Sequence, residues 1–87
     1  MEKIAMLSVD IEATSEQRDR FYKSLQESQW IKLKNVTTVW KATFKDGVTV
    51  QGAISAAKAD VQAAATNAQV SKWEAVVHIG DTQPEQF

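Results

Sequence analysis

No cysteine occurs anywhere in the chain, which excludes disulfide staples and thiolate metal centres and permits a reducing compartment. The three glycines are too few to build a nucleotide-cradling loop, and proline and histidine occur once each. No apolar run approaches the roughly 20 residues needed to cross a bilayer. The N-terminus lacks a basic region followed by an apolar stretch and a cleavage site. The expectation is a soluble, cytoplasmic protein with no membrane partner. Ten Lys plus Arg against eleven Asp plus Glu leave a net charge of -1. The whole molecule therefore has no long-range attraction for phosphate backbones, and any nucleic-acid contact must come from a local patch.

What is present reads as one domain over residues 1–87, with a polar tail over 80–87. Ala5, Leu7, Val9 and Ile11 alternate with Met6, Ser8 and Asp10, the signature of a strand with one face fully buried and the other partly so. Thr14 precedes Gln17 by three, a capping-box spacing, and Phe21 and Leu25 sit four apart on a helix running to about Ser28. Trp30-Ile31-Lys32-Leu33-Lys34 alternates again, Asn35-Val36 can turn, and Thr37 to Phe44 is rich in β-branched and aromatic residues, which predicts a hairpin. After Asp46-Gly47, Thr49 or a neighbour caps a second helix. Its stripe is Val50, Ile54, Ala57, Val61, Ala64, Ala65 and Ala68. Trp73, Ala75, Val77 and Ile79 form a last alternating strand, ended by Gly80 to Pro84.

The order strand, helix, strand, strand, helix, strand is that of an α+β, ferredoxin-like βαββαβ sandwich. Right-handed crossovers place both helices on one face of a four-stranded antiparallel sheet, with the first strand central and the last at an edge or the reverse. The expected open face carries Met6, Ser8 and Asp10, then Trp30, Lys32 and Lys34, then Val39, Lys41 and Thr43, then Val76 and His78. A surface this apolar predicts self-association, and the expected partner is a second copy of the chain.

The apolar strand ending in Val9-Asp10, the helix with Phe21-Tyr22 and Leu25, Gln29-Trp30 with Lys32-Leu33, Thr38-Val39-Trp40, and the closing Val76-Val77-His78-Ile79-Gly80 together resemble the CRISPR-associated small ribonuclease-like proteins. That wider group includes VapD-type ribonucleases and the GhoS antitoxin ribonuclease. The likeness runs from Ile4 to Gly80. It implies a compact dimer, often with sheets facing each other. An aspartate at the end of the first strand then lies near the two-fold axis and holds a divalent metal, Mg2+, with its symmetry mate. Asp10 is the residue that matches, as catalytic and metal-binding group. Two carboxylates brought together repel unless a cation lies between them, and magnesium so held orients water against a phosphodiester.

Asp10 also has a plain structural reading, as a cap for the approaching helix or a partner for Lys32 or Lys34, and Glu12 reads as a second ligand or a solvated charge. His78 is a proton-transfer or metal candidate at a dimer seam, or an ordinary surface residue. Lys32, Lys34, Lys41 and Lys45 with Trp30 and Trp40 form the most basic and aromatic stretch, and Lys32, Lys34, Lys41 and His78 are the candidate RNA or interface contacts. No signature of a hydrolytic triad is present. Gly47 to Gly52 is similar to the phosphate loop of acylphosphatases but follows the third strand and lacks the required arginine, so that reading is rejected.

Three function classes follow. The first is a small dimeric, metal-dependent endoribonuclease of a defence or toxin–antitoxin type system, or an inactive relative. The second is a non-catalytic dimeric adaptor or inhibitor that binds another protein. The third is a purely structural dimer. The neutral charge, the single histidine and the absence of arginines beyond Arg18 and Arg20 favour binding. The resemblance favours the nuclease.

Overall fold

Alternation governs the first strand, β1 (Lys3–Ile11), in the computed structural model, which describes residues 2–33 and 38–81. From Ala5 onward, Ala5, Leu7 and Val9 are buried and Met6, Ser8 and Asp10 are exposed, as a period of two requires of a strand with one covered face; Ile4, in phase with Met6, is buried as well. Helix α1 (Ser15–Glu27) follows. Its capping box is complete: Gln17 donates its backbone N–H to Thr14 Oγ1 at 3.2 Å, and Thr14 donates its own to Gln17 Oε1 at 2.9 Å. Helix α2 (Val50–Ala68) is capped by Thr49, whose hydroxyl accepts from the Gly52 N–H at 2.9 Å.

Both helices end in the same way. Gln29 and Gln69 adopt left-handed backbone angles, φ 71° and 59°. The next amide then folds back, Trp30 N–H onto the Leu25 carbonyl and Val70 N–H onto the Ala65 carbonyl. These are Schellman closures without the usual glycine. Gln17 also donates through Nε2 to the Gln69 carbonyl at 3.0 Å, joining the start of α1 to the end of α2.

Strands β2 (Ile31–Lys32), β3 (Val39–Phe44) and β4 (Trp73–Gly80) complete an antiparallel sheet in the order β2-β3-β1-β4. This is the ferredoxin-like arrangement, with β1 and β3 central and β4 at one edge. Leu7, Val9 and Trp40 from the sheet meet Phe21 and Leu25 from α1 and Ala57, Val61 and Ala64 from α2 in one core. The alanines of α2 let its backbone approach the sheet closely, which is why a helix of such small side chains buries six of them or their neighbours at Ala53, Ala57, Val61, Ala64, Ala65 and Ala68. Val50, expected on that stripe, is 47% exposed at the first turn.

One register differs from expectation. Ile31 pairs with Lys41 and Lys32 with Trp40, so Ile31 lies on the open face, and Trp30 and Lys32 lie on the helix side. The left-handed turn at Gln29 sends Trp30 back under the helices. There it is 2% exposed, and its indole N–H donates to Asp60 Oδ2 at 2.8 Å. The Asn35-Val36 turn and the tail beyond Asp81 lie outside the described residues. Among those residues no helix is long and apolar enough to cross a membrane.

Candidate functional site

The open face carries Met6, Ser8 and Asp10 on β1, Val39, Lys41 and Thr43 on β3, Ile31 on β2, and Glu74, Val76 and His78 on β4. Asp10 is exposed near the end of β1 and stands directly opposite Glu74 of β4. Cross-strand partners project from the same face, with Cα atoms about 5.5 Å apart in a hydrogen-bonded pair. Two carboxylates are therefore held side by side. They border an open depression of about 540 Å³ that also includes Glu12, Lys72 and Trp73.

Two of the plain structural readings of Asp10, the helix cap and the pair with Lys32, are not what the structure forms. The cap of α1 is Thr14. Lys32 is on the opposite face, its Nζ 5.1 Å from the centre of the Tyr22 ring in a cation–π contact. Lys34 lies outside the described residues. Among the described residues neither Asp10 nor Glu74 has a hydrogen-bonding or ion-pair partner through its side chain. Glu12, by contrast, lies 3.9 Å from Lys72 Nζ, an exposed pair of small energetic weight.

The remaining candidates are dispersed. Lys41 is half-buried on the open face, opposite both Met6 and Ile31. His78 is exposed on β4, also opposite Met6. The four-residue offset from Glu74 places it about 13 Å along the strand at about 3.3 Å per residue. Asp10 and His78 of one chain therefore do not meet. Among the described residues no three His, Cys, Asp or Glu side chains gather into a group able to hold a metal ion. Two oxygen-bearing carboxylates do suit magnesium, which keeps several waters and takes one or two protein carboxylates.

Sequence reasoning missed Glu74. Its alternation with Trp73 and Ala75 assigns it to the open face together with Val76 and His78. Its place beside Asp10 follows only from the β1–β4 register. Compared with models of known protein families, with curated protein sequences and with solved structures, the chain finds no significant match.

Proposed function

We propose that the protein is a small homodimeric, nuclease-like protein that handles RNA on its open sheet face, with Asp10 as the principal acidic group and Glu74 beside it. The observation that carries this reading is the cross-strand pair itself: two exposed carboxylates in register, with no basic partner among the described residues. Like charges directly opposite each other destabilise a sheet, and a cation between them removes that cost. Asp10 and Glu74 would hold Mg2+, whose chemistry when bound is to neutralise phosphate charge and orient water toward a phosphodiester. Lys41, on the same face, supplies positive charge toward the backbone of a bound strand. A cytoplasmic role in a defence or toxin–antitoxin type system belongs to the same reading and rests on the family resemblance.

The second reading, a non-catalytic dimeric adaptor or inhibitor, is favoured by Ile31 and Val76. They are 60% and 71% exposed at the two margins of the face and suit a protein partner.

Magnesium-dependent cleavage of RNA by the purified protein, run beside Asp10→Asn and Glu74→Gln, separates the two. Loss of cleavage in both variants supports the nuclease. Equal cleavage in all three, or none in the unaltered protein, leaves the adaptor.

A further inference from the structure

The two edges of the sheet are built differently. The β2 edge is two residues long, too short to template another strand. The β4 edge runs eight residues, Trp-Glu-Ala-Val-Val-His-Ile-Gly, with no lysine, proline or bulge to blunt it. The Glu12 N–H donates to the Lys72 carbonyl, so even-numbered residues of β4 bond to β1 and the odd-numbered ones, Trp73, Ala75, Val77 and Ile79, turn their N–H and C=O groups outward. Beneath this edge, Leu7, Val61, Trp73 and Val77, with Lys58 and Gln62 of α2 among the other lining residues, border a mostly apolar cavity of about 310 Å³ between β4 and α2.

We infer that a second copy of this chain docks on the β4 edge, antiparallel about a two-fold axis at Val76, to give one continuous eight-stranded sheet. Outward groups meet only if the axis passes through a residue. With Val76 on the axis, Trp73 pairs with the partner's Ile79 and Ala75 with the partner's Val77, so every outward residue of β4 is used within the strand. On the open face Val76 meets the partner's Val76, in the closer, non-hydrogen-bonded type of pair. Glu74 meets the partner's His78, a carboxylate against an imidazole donor. Moving the axis to Val77 places Glu74 opposite the partner's Gly80. Moving it to Ala75 places His78 opposite the partner's Lys72. Only the Val76 axis matches acceptor to donor on both sides. On the helix side, the partner's strand extends the apolar wall of the cavity.

This interface gives a geometry to the homodimer proposed above. It also brings the partner's His78 beside Glu74, so that Asp10, Glu74 and that histidine stand in one row across the sheet. A cluster that one chain cannot form is thus assembled from two.

The test reads assembly alone, so its failure leaves the question of cleavage to the assay above. The chain has no cysteine, and Cα atoms about 4.5 Å apart in a non-hydrogen-bonded pair fall within disulfide range. Val76→Cys under mild oxidation is expected to double the mass to a covalent dimer, whereas Ala75→Cys stays monomeric. Adding Ala75→Pro to Val76→Cys removes an outward amide and abolishes the cross-link. Two fold-safe changes of exposed residues check the register: Glu74→Lys and His78→Glu each weaken self-association in sedimentation, and together they restore it. The inference is overturned by a cross-link that survives the proline, which indicates a face-to-face dimer, or by one lost when the chain is ended at Asp81, which puts the tail on this edge. A Val76→Cys protein that stays monomeric, or a double charge exchange that fails to restore association, overturns it equally.

Discussion

Trp30 donates its indole N–H to Asp60 Oδ2 at 2.8 Å, fastening the short β2 edge to the middle of α2. The bond is part-buried, and Trp30 is almost wholly enclosed. Trp40 offers a contrast, because it is fully buried against Tyr22 with an indole N–H that has no hydrogen-bond partner among the described residues.

Asp60→Ala should therefore destabilise the fold by about 1–3 kcal/mol, since it strands the Trp30 donor. Trp40→Phe loses ring volume but removes an unpaired buried polar group, so it should cost less than Trp30→Phe, which leaves Asp60 without its donor. Urea midpoints at constant slope for the three variants would check the order. Trp40→Phe as the most damaging of the three would refute it.

Gln29→Gly and Gln69→Gly should each stabilise the protein, by about 0.5–1 kcal/mol, because glycine takes a left-handed φ without the clash of a Cβ. Gln69→Gly keeps the carbonyl that accepts from Gln17. A fall in the thermal midpoint for either variant would argue against the closures described at the helix ends.

The two faces of the sheet should respond unequally to truncation. Leu7→Ala removes a side chain that is 1% exposed and should cost about 2–4 kcal/mol. Val9→Ala, on the same face, should follow it at lower cost. Ile31→Ala removes as much hydrocarbon from a residue that is 60% exposed, and should stay within about 0.5 kcal/mol. Chemical denaturation of the three variants compares them directly, and a loss in Ile31→Ala similar to that in Leu7→Ala would contradict the register of β2.

Asp10→Asn should leave the monomer as stable as before or stabler by about 0.2–1 kcal/mol, because it ends the repulsion from Glu74 across the β1–β4 pair. The same change should remove any stabilisation that added magnesium confers on the unaltered protein. Thermal melts with and without the ion measure both effects. A large destabilisation by Asp10→Asn would show instead that the carboxylate serves the fold.

Much of this protein was determined by the sequence alone, because the signals concerned are local. Alternation from Ala5 to Asp10 names both faces of β1, Thr14 and Gln17 box the start of α1, and Ala57, Val61 and Ala64 mark the buried side of α2. The element order then leads to a ferredoxin-like sheet. Tertiary structure decided the rest. The run from Trp30 to Lys34 alternates in either phase as a sequence, and the phase of Trp30 to Lys32 is set by the left-handed Gln29 and by a hydrogen bond to Asp60, thirty residues away. Lys32 consequently faces Tyr22 and not the open face with Lys41. Asp10 was legible as an unusual carboxylate on an apolar strand, but the carboxylate beside it was not. Glu74 comes next to Asp10 only because β1 and β4, at opposite ends of the chain, pair in one register. Spacing along a sequence reports neighbours within an element, whereas which side chains of different strands share a row is settled when the sheet closes.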